Sequence, residues 1–207
     1  MTSIRPERLA IPAIAVVLAW WYLLNGAGMP AAMAGMPAMR EEPSMMTLAV
    51  MWGVMMTAMM LPSAALWIAE RGTPFAAGYV LVWVAFGGLA GLLQWNLAHA
   101  GALSDAMALR SVPFAAIVLA GVIVYELTPF KRACLRRCHS DDRVREQASG
   151  AGLGANLACG VRQGIVCVGC CWALMALLFV AGVMNIVWIA AITLFVTAQK
   201  LLPLRAA

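Results

Sequence analysis

Cys167, Cys170 and Cys171 stand at positions i, i+3 and i+4, a spacing that turns three thiols to one face if the segment is helical. Cys134 and Cys138 show the four-residue interval a little upstream. A second sulfur chemistry precedes both. Met51, Met55 and Met59 form an MxxxM ladder, and Met56 and Met60 repeat it on the adjacent stripe, stacking thioethers about one helical turn apart. Thiolate and thioether sulfur are the donors that select Cu(I) over harder cations, while sites built from several thiolates also hold Zn(II). The donor set predicts a soft-metal protein, with copper as Cu(I) the expected ion and zinc the alternative.

The two sulfur types are segregated along the chain. Eleven of the fifteen Met fall between residues 29 and 60, whereas all six Cys, Cys159 included, fall between 134 and 171. Methionine packs adaptably in any apolar core, and cysteine is itself a small apolar residue. The pattern therefore carries weight only if the surrounding elements bring the sulfurs together.

Those elements must lie in a bilayer. The chain of 207 residues is 64% hydrophobic and only 11% charged, with a mean hydropathy of +0.88, far from the roughly 25% charge of soluble domains. Apolar runs long enough for a hydrocarbon core of about 30 Å are read at approximately 9–28, 45–68, 75–98 and 112–130. The run from about 165 to 202 is too long for one span at roughly 1.5 Å per residue. It divides at Gly182-Val183-Met184-Asn185. The expected fold is all-α, a polytopic membrane bundle of about six transmembrane helices. Two sequence regions are expected: residues 1–44, a first span and outer loop, and residues 45–207, the main bundle.

Positive charge sets the orientation. Of the fourteen Lys and Arg, only Arg40 and Arg110 fall on the opposite side from the rest. Because Lys and Arg accumulate on the cytoplasmic side, both termini are expected to be cytoplasmic in a multi-pass protein of a bacterial inner membrane. The net charge of +5 then reflects orientation and contact with anionic lipid, and nucleic acid is not an expected partner. Arg5, Arg8, the first apolar stretch and Ala32-Met33-Ala34 also have the shape of a secretory signal. Retention as a first span is the expectation; cleavage would leave five spans in the same orientation.

In this topology the outer loop GAGMPAAMAGMPAMREEPSMM adds further thioethers to the Met ladder. The loop from about 131 to 164 is cytoplasmic, and both cysteine groups lie at that surface, Cys134 and Cys138 closing the fourth span and Cys167 to Cys171 opening the fifth. Gly87, Gly88 and Gly91 offer a small-residue face for close helix packing. Ionisable groups inside spans are costly and mark function or pairing. Glu126, at the inner end of the fourth span, is matched in depth by Gln199 and Lys200 in the sixth. They form a candidate polar pair that closes the bundle or handles the departing ion. His99, at the outer end of the third span, is a weaker candidate for the methionine site.

The blocks WGVMMTAMMLPSA, GYVLVW, YELTPFKRACLRRC, GIVCVGCCWALM and GVMNIVW, in this order, resemble the bacterial domain-of-unknown-function family 2182, described as predicted metal-binding integral membrane proteins. The resemblance spans about residues 45–203 and implies metal binding at Met55, Met56, Met59, Met60, Cys134, Cys138, Cys167, Cys170 and Cys171. It also implies Gln more often at position 126 and Glu more often at 199, an exchange suited to a shared polar site.

Three function classes follow. The first takes Cu(I) at the outer methionines and delivers it to the inner cysteines as a transporter or membrane chaperone. The second is a non-catalytic subunit packed against other membrane subunits or its own copies. The third is a thiol oxidoreductase using Cys167 and Cys170 with a quinone. No paired-carboxylate site, nucleophile elbow, phosphate loop or bis-His haem site is visible, and the expected protein is not an enzyme.

Overall fold

The computed structural model describes residues 9–25, 44–103, 108–140, 152–183 and 185–201. These contain eight α-helices: α1 (Ala10–Leu24), α2 (Met45–Met60), α3 (Ala65–Arg71), α4 (Thr73–His99), α5 (Val112–Leu127), α6 (Pro129–Ser140), α7 (Leu153–Ala181) and α8 (Ile186–Leu201). Among the described residues no strand forms, and the sole β-type pairing is an isolated bridge between Leu103 and Leu109. The protein is all-helical.

Helices α4 and α7, with 27 and 29 residues, are each long and apolar enough to cross a membrane. Two further spans arise if bent pairs count as single crossings. Pro62 has no N–H to continue α2 and clashes with the preceding turn; a short 3-10 turn, Pro62–Ala64, leads into α3, at a bend of 41°. Pro129 disfavours helix at the residue before it. Thr128 is accordingly extended (φ −69°, ψ 146°), and α6 leaves α5 at 62°. The shorter α1 and α8 are also apolar. The division of the last apolar run falls where hydropathy placed it: α7 ends at Ala181 and Gly182 turns the chain at φ 94°, a conformation open to glycine.

The fifth apolar helix, in contrast, does not begin near 165. It begins at Leu153, so the segment expected as a loop to residue 164 is its first three turns. Glycines explain how it packs there. A Cβ at Gly78 of α4 would lie 2.2 Å from the Leu157 carbonyl oxygen, and one at Gly160 of α7 would lie 2.1 Å from that of Phe75. The two backbones therefore meet with no side chain between them, as small residues permit in membrane bundles. Gly87 and Gly91 bring α4 against α2 similarly, with Cβ positions 2.9 Å from Gly53 N and 3.1 Å from Ala49 Cα. Gly88 meets no neighbour; it lines an apolar groove between α1, α2 and α4.

The packing order is thus α1 on α2, α2 on α4, α4 on α7, and α7 on α5 and α6, with α8 against α2, α7 and the 3-10 turn. Large apolar side chains such as Val112, Leu153 and Val187 are exposed, whereas Gln94, Lys131 and Gln163 are buried. That inversion of the soluble pattern suits lipid contact. Inside, the Trp52 indole donates to Gln94 Oε1 at 2.6 Å and stacks on Phe179.

Candidate metal centre

The late residues of α2 read Met55-Met56-Thr57-Ala58-Met59-Met60, and Ser44 caps the helix start by accepting from Thr47 N at 3.2 Å. Met51, Met55, Met56, Met59 and Met60 are all fully buried, held between α1, α4 and α8. The ladder faces the protein interior. Met45 and Met46, one turn before it, are exposed. Met29, Met33, Met36 and Met39, like Arg40 and residues 141–151 of the basic loop, lie outside the described residues.

On α7, Cys167, Cys170 and Cys171 share one face, and their sulfurs lie within 4.8 Å of one another. Each is 1% exposed. Cys170 Sγ is 3.3 Å from Cys171 Sγ. The bend at Pro129 swings α6 back onto α7 and delivers a fourth sulfur, with Cys138 Sγ 3.8 Å from Cys170 Sγ. Gln163 Nε2 donates to the Cys138 carbonyl at 3.5 Å, one tie between the two helices. Cys134 is half-buried and lies against Gly169. None of the six cysteines is in a disulfide.

The thioether ladder and the thiol cluster belong to one contiguous buried core. Tyr79 of α4 links them: its hydroxyl donates to the Met60 carbonyl at 3.3 Å and lies 3.0 Å from Cys167 Sγ. The cysteines are therefore not at a surface opening of the fifth helix. Cys167 sits roughly 21 Å along α7 at 1.5 Å per residue, where the α2 ladder ends. Met175, buried one turn beyond Cys171, adds a thioether on the same face. Its i+4 relation to Cys171 was the available sequence signal; Tyr79, Ser63 and Gln163 carried none.

Lys200 completes the site. Its Nζ lies 2.7 Å from Cys167 Sγ and 2.8 Å from Ser63 Oγ. It does not pair with Glu126. Adjacent helical residues point about 100° apart, so Gln199 and Lys200 look into different places. Gln199 Nε2 donates to Glu126 Oε2 at 3.2 Å, and its Oε1 accepts from Lys131 Nζ at 3.2 Å. Lys131 also forms an ion pair with Glu126. The contact between the fourth and sixth apolar segments thus exists, but its cation is Lys131. His99 turns back on its own helix, with Nδ1 2.9 Å from the Trp95 carbonyl oxygen.

Chemically, the arrangement offers neutral thioethers leading to three or four thiols beside one ammonium. Such a donor set holds a soft monovalent ion, and four thiols also satisfy the number required for tetrahedral zinc. A family model described as PpoB2: Copper chaperone matches residues 49–207. Comparison with curated proteins and with solved structures gave no match.

Proposed function

The chain belongs to the PpoB2 copper chaperone family, and from that premise we propose that it is a multi-pass membrane chaperone that accepts Cu(I) at the α2 thioethers and hands it to the thiol cluster of α6 and α7. The observation that carries this reading is the single buried core in which Met55, Met56, Met59 and Met60 run up to Cys167, Cys170 and Cys171. Neutral sulfur passes a soft monovalent cation through an apolar interior without the desolvation cost of a buried carboxylate. Two thiolates and Cu(I) carry one net negative charge, which the Lys200 ammonium at 2.7 Å offsets.

In this proposal the bundle crosses a bacterial inner membrane six times with both termini cytoplasmic, supported by the one-sided distribution of Lys and Arg. The cysteine end is then the reducing side. The protein is not an enzyme: thiols 1% exposed are poorly placed for exchange with a bulky redox partner. Copper is preferred to zinc on the strength of the family and of the thioethers, which suit zinc poorly.

Anaerobic metal titration with elemental analysis tests the reading. Wild type is expected to bind Cu(I), Cys167→Ser/Cys170→Ser to bind it more weakly and in smaller amount, and Met55→Leu/Met59→Leu to load it more slowly. Equal copper in all three proteins would overturn the assignment, and displacement of the copper by zinc would replace it with a zinc site.

A further inference from the structure

Away from the sulfurs, the corner between α3 and α4 holds a cation that the fold leaves unmatched. Arg71, the last residue of α3, is 6% exposed. Its Nη1 lies 3.4 Å from Asn156 Oδ1 on α7, while Nε and Nη2 are buried with no hydrogen-bond partner among the described residues. No described carboxylate forms an ion pair with it, and helical phase turns Glu70, next in sequence, about 100° away. A buried charge without a partner is costly. Two unmet donors on one buried guanidinium therefore point to an acceptor that binds there.

Asn156 places this guanidinium at the start of α7. The first N–H groups of a helix have no intrahelical partner, and those of α7 have no side-chain cap, because Gly152 stands at the N-cap. At the head of a 29-residue helix, these groups and the helix dipole favour an anion. The approach is open: a Cβ at Gly152 or Gly154 would meet nothing within 4 Å.

We propose that Arg71 and the N-terminus of α7 form a phosphate-binding site, for the phosphate of an anionic lipid headgroup or for free phosphate. Nε and Nη2 make up one edge of the guanidinium, the fork that grips two oxygens of one anion. Phosphate has further oxygens for the helix N–H groups, which a carboxylate held by that fork does not. The 3.4 Å tie to Asn156 is longer than the usual range of about 2.7–3.2 Å, so the guanidinium gives up little in turning its fork toward the helix start. Leu153, the first residue of α7, is 75% exposed and sets apolar surface beside the phosphate, which suits a lipid as its carrier.

To test this, full-length, copper-free protein in neutral detergent is titrated with phosphatidylglycerol, phosphatidylcholine or inorganic phosphate. Occupancy is read by native mass spectrometry and stability by thermal unfolding, so the result does not depend on the copper site. Phosphatidylglycerol is expected to bind about tenfold more tightly than phosphatidylcholine, whose choline cation offsets its phosphate, and to raise the unfolding temperature. Arg71→Gln removes the fork and is expected to lower that affinity about tenfold and to abolish the rise. Leu153→Pro deletes one N–H at the first helical position, where proline is well accommodated. It is expected to weaken binding severalfold while leaving the lipid-free unfolding temperature unchanged, and it decides the matter if Arg71→Gln does not fold. Binding of inorganic phosphate that depends on these residues assigns free phosphate; dependence seen with phosphatidylglycerol alone assigns a lipid. Equal affinity for the two lipids without phosphate binding, or an affinity that neither variant lowers, overturns the site. Arg71→Gln that unfolds earlier yet binds as wild type does makes Arg71 a packing residue and overturns it too.

Discussion

Lys131 and Lys200 come from different helices and serve neighbouring polar clusters in the same bundle, yet their partners differ in kind. Lys131, 3% exposed, meets the Glu126 carboxylate and the Gln199 amide, so its charge is matched within the protein. Lys200 meets the Cys167 thiol and the Ser63 hydroxyl, and no carboxylate is among the described residues lining the small cavity beside it. A buried cation already matched by a carboxylate holds helices together. One set against sulfur leaves part of the charge balance to whatever ion the sulfurs take up. The difference separates a matched structural pair from the proposed metal site, although Gln199 and Lys200 are adjacent in sequence.

Substitution can break that contrast, and the largest expected effect is at the matched pair. Lys131→Met leaves the Glu126 carboxylate without its cation in a largely dehydrated place, and thermal unfolding in detergent is expected to show a loss of about 3 kcal/mol, with copper stoichiometry retained. Lys200→Met acts on the other side of the comparison. Removing a charge-assisted contact to sulfur is expected to weaken Cu(I) binding about tenfold, in line with a contribution of about 1.5 kcal/mol, as read by competition with a chromophoric chelator.

The pair can also be sharpened. Glu126→Gln alone is expected to destabilise by about 1 kcal/mol and Glu126→Gln with Gln199→Glu to recover most of that loss, since Lys131 reaches both positions. Independent effects in the same unfolding measurement would argue against a shared site. At the thioether ladder the effect is expected in copper uptake more than in stability. Met55→Leu/Met59→Leu nearly conserves volume and is expected to cost less than about 1.5 kcal/mol per substitution, while slowing copper uptake in stopped-flow loading.

Much of this was legible in the residues. The apolar runs announced helices, and the i, i+3, i+4 cysteines and the MxxxM ladder announced sulfur faces. Depth was not legible. Arg162 and Gln163 within a Gly-rich stretch read as loop, but Gly160 is where α7 meets α4 backbone to backbone, and that packing keeps the segment helical. Nor did spacing show that the turn at Thr128-Pro129 would fold Cys138 back to Cys170, because the bend angle depends on how α6 packs against α7. The cation beside Glu126 was misassigned for a similar reason: depth in the bilayer matched Lys200 to Glu126, but helical phase turned Lys200 toward Cys167.

The central claim is that copper is carried by sulfur at the meeting of α2, α6 and α7. X-ray absorption at the copper edge, on full-length protein loaded anaerobically in nanodiscs, tests it most directly. The account predicts Cu(I) with an all-sulfur coordination shell in wild type, with sulfur lost from that shell in Cys167→Ser/Cys170→Ser. Nitrogen or oxygen coordination in wild type, or a sulfur shell unchanged in the double variant, would contradict it.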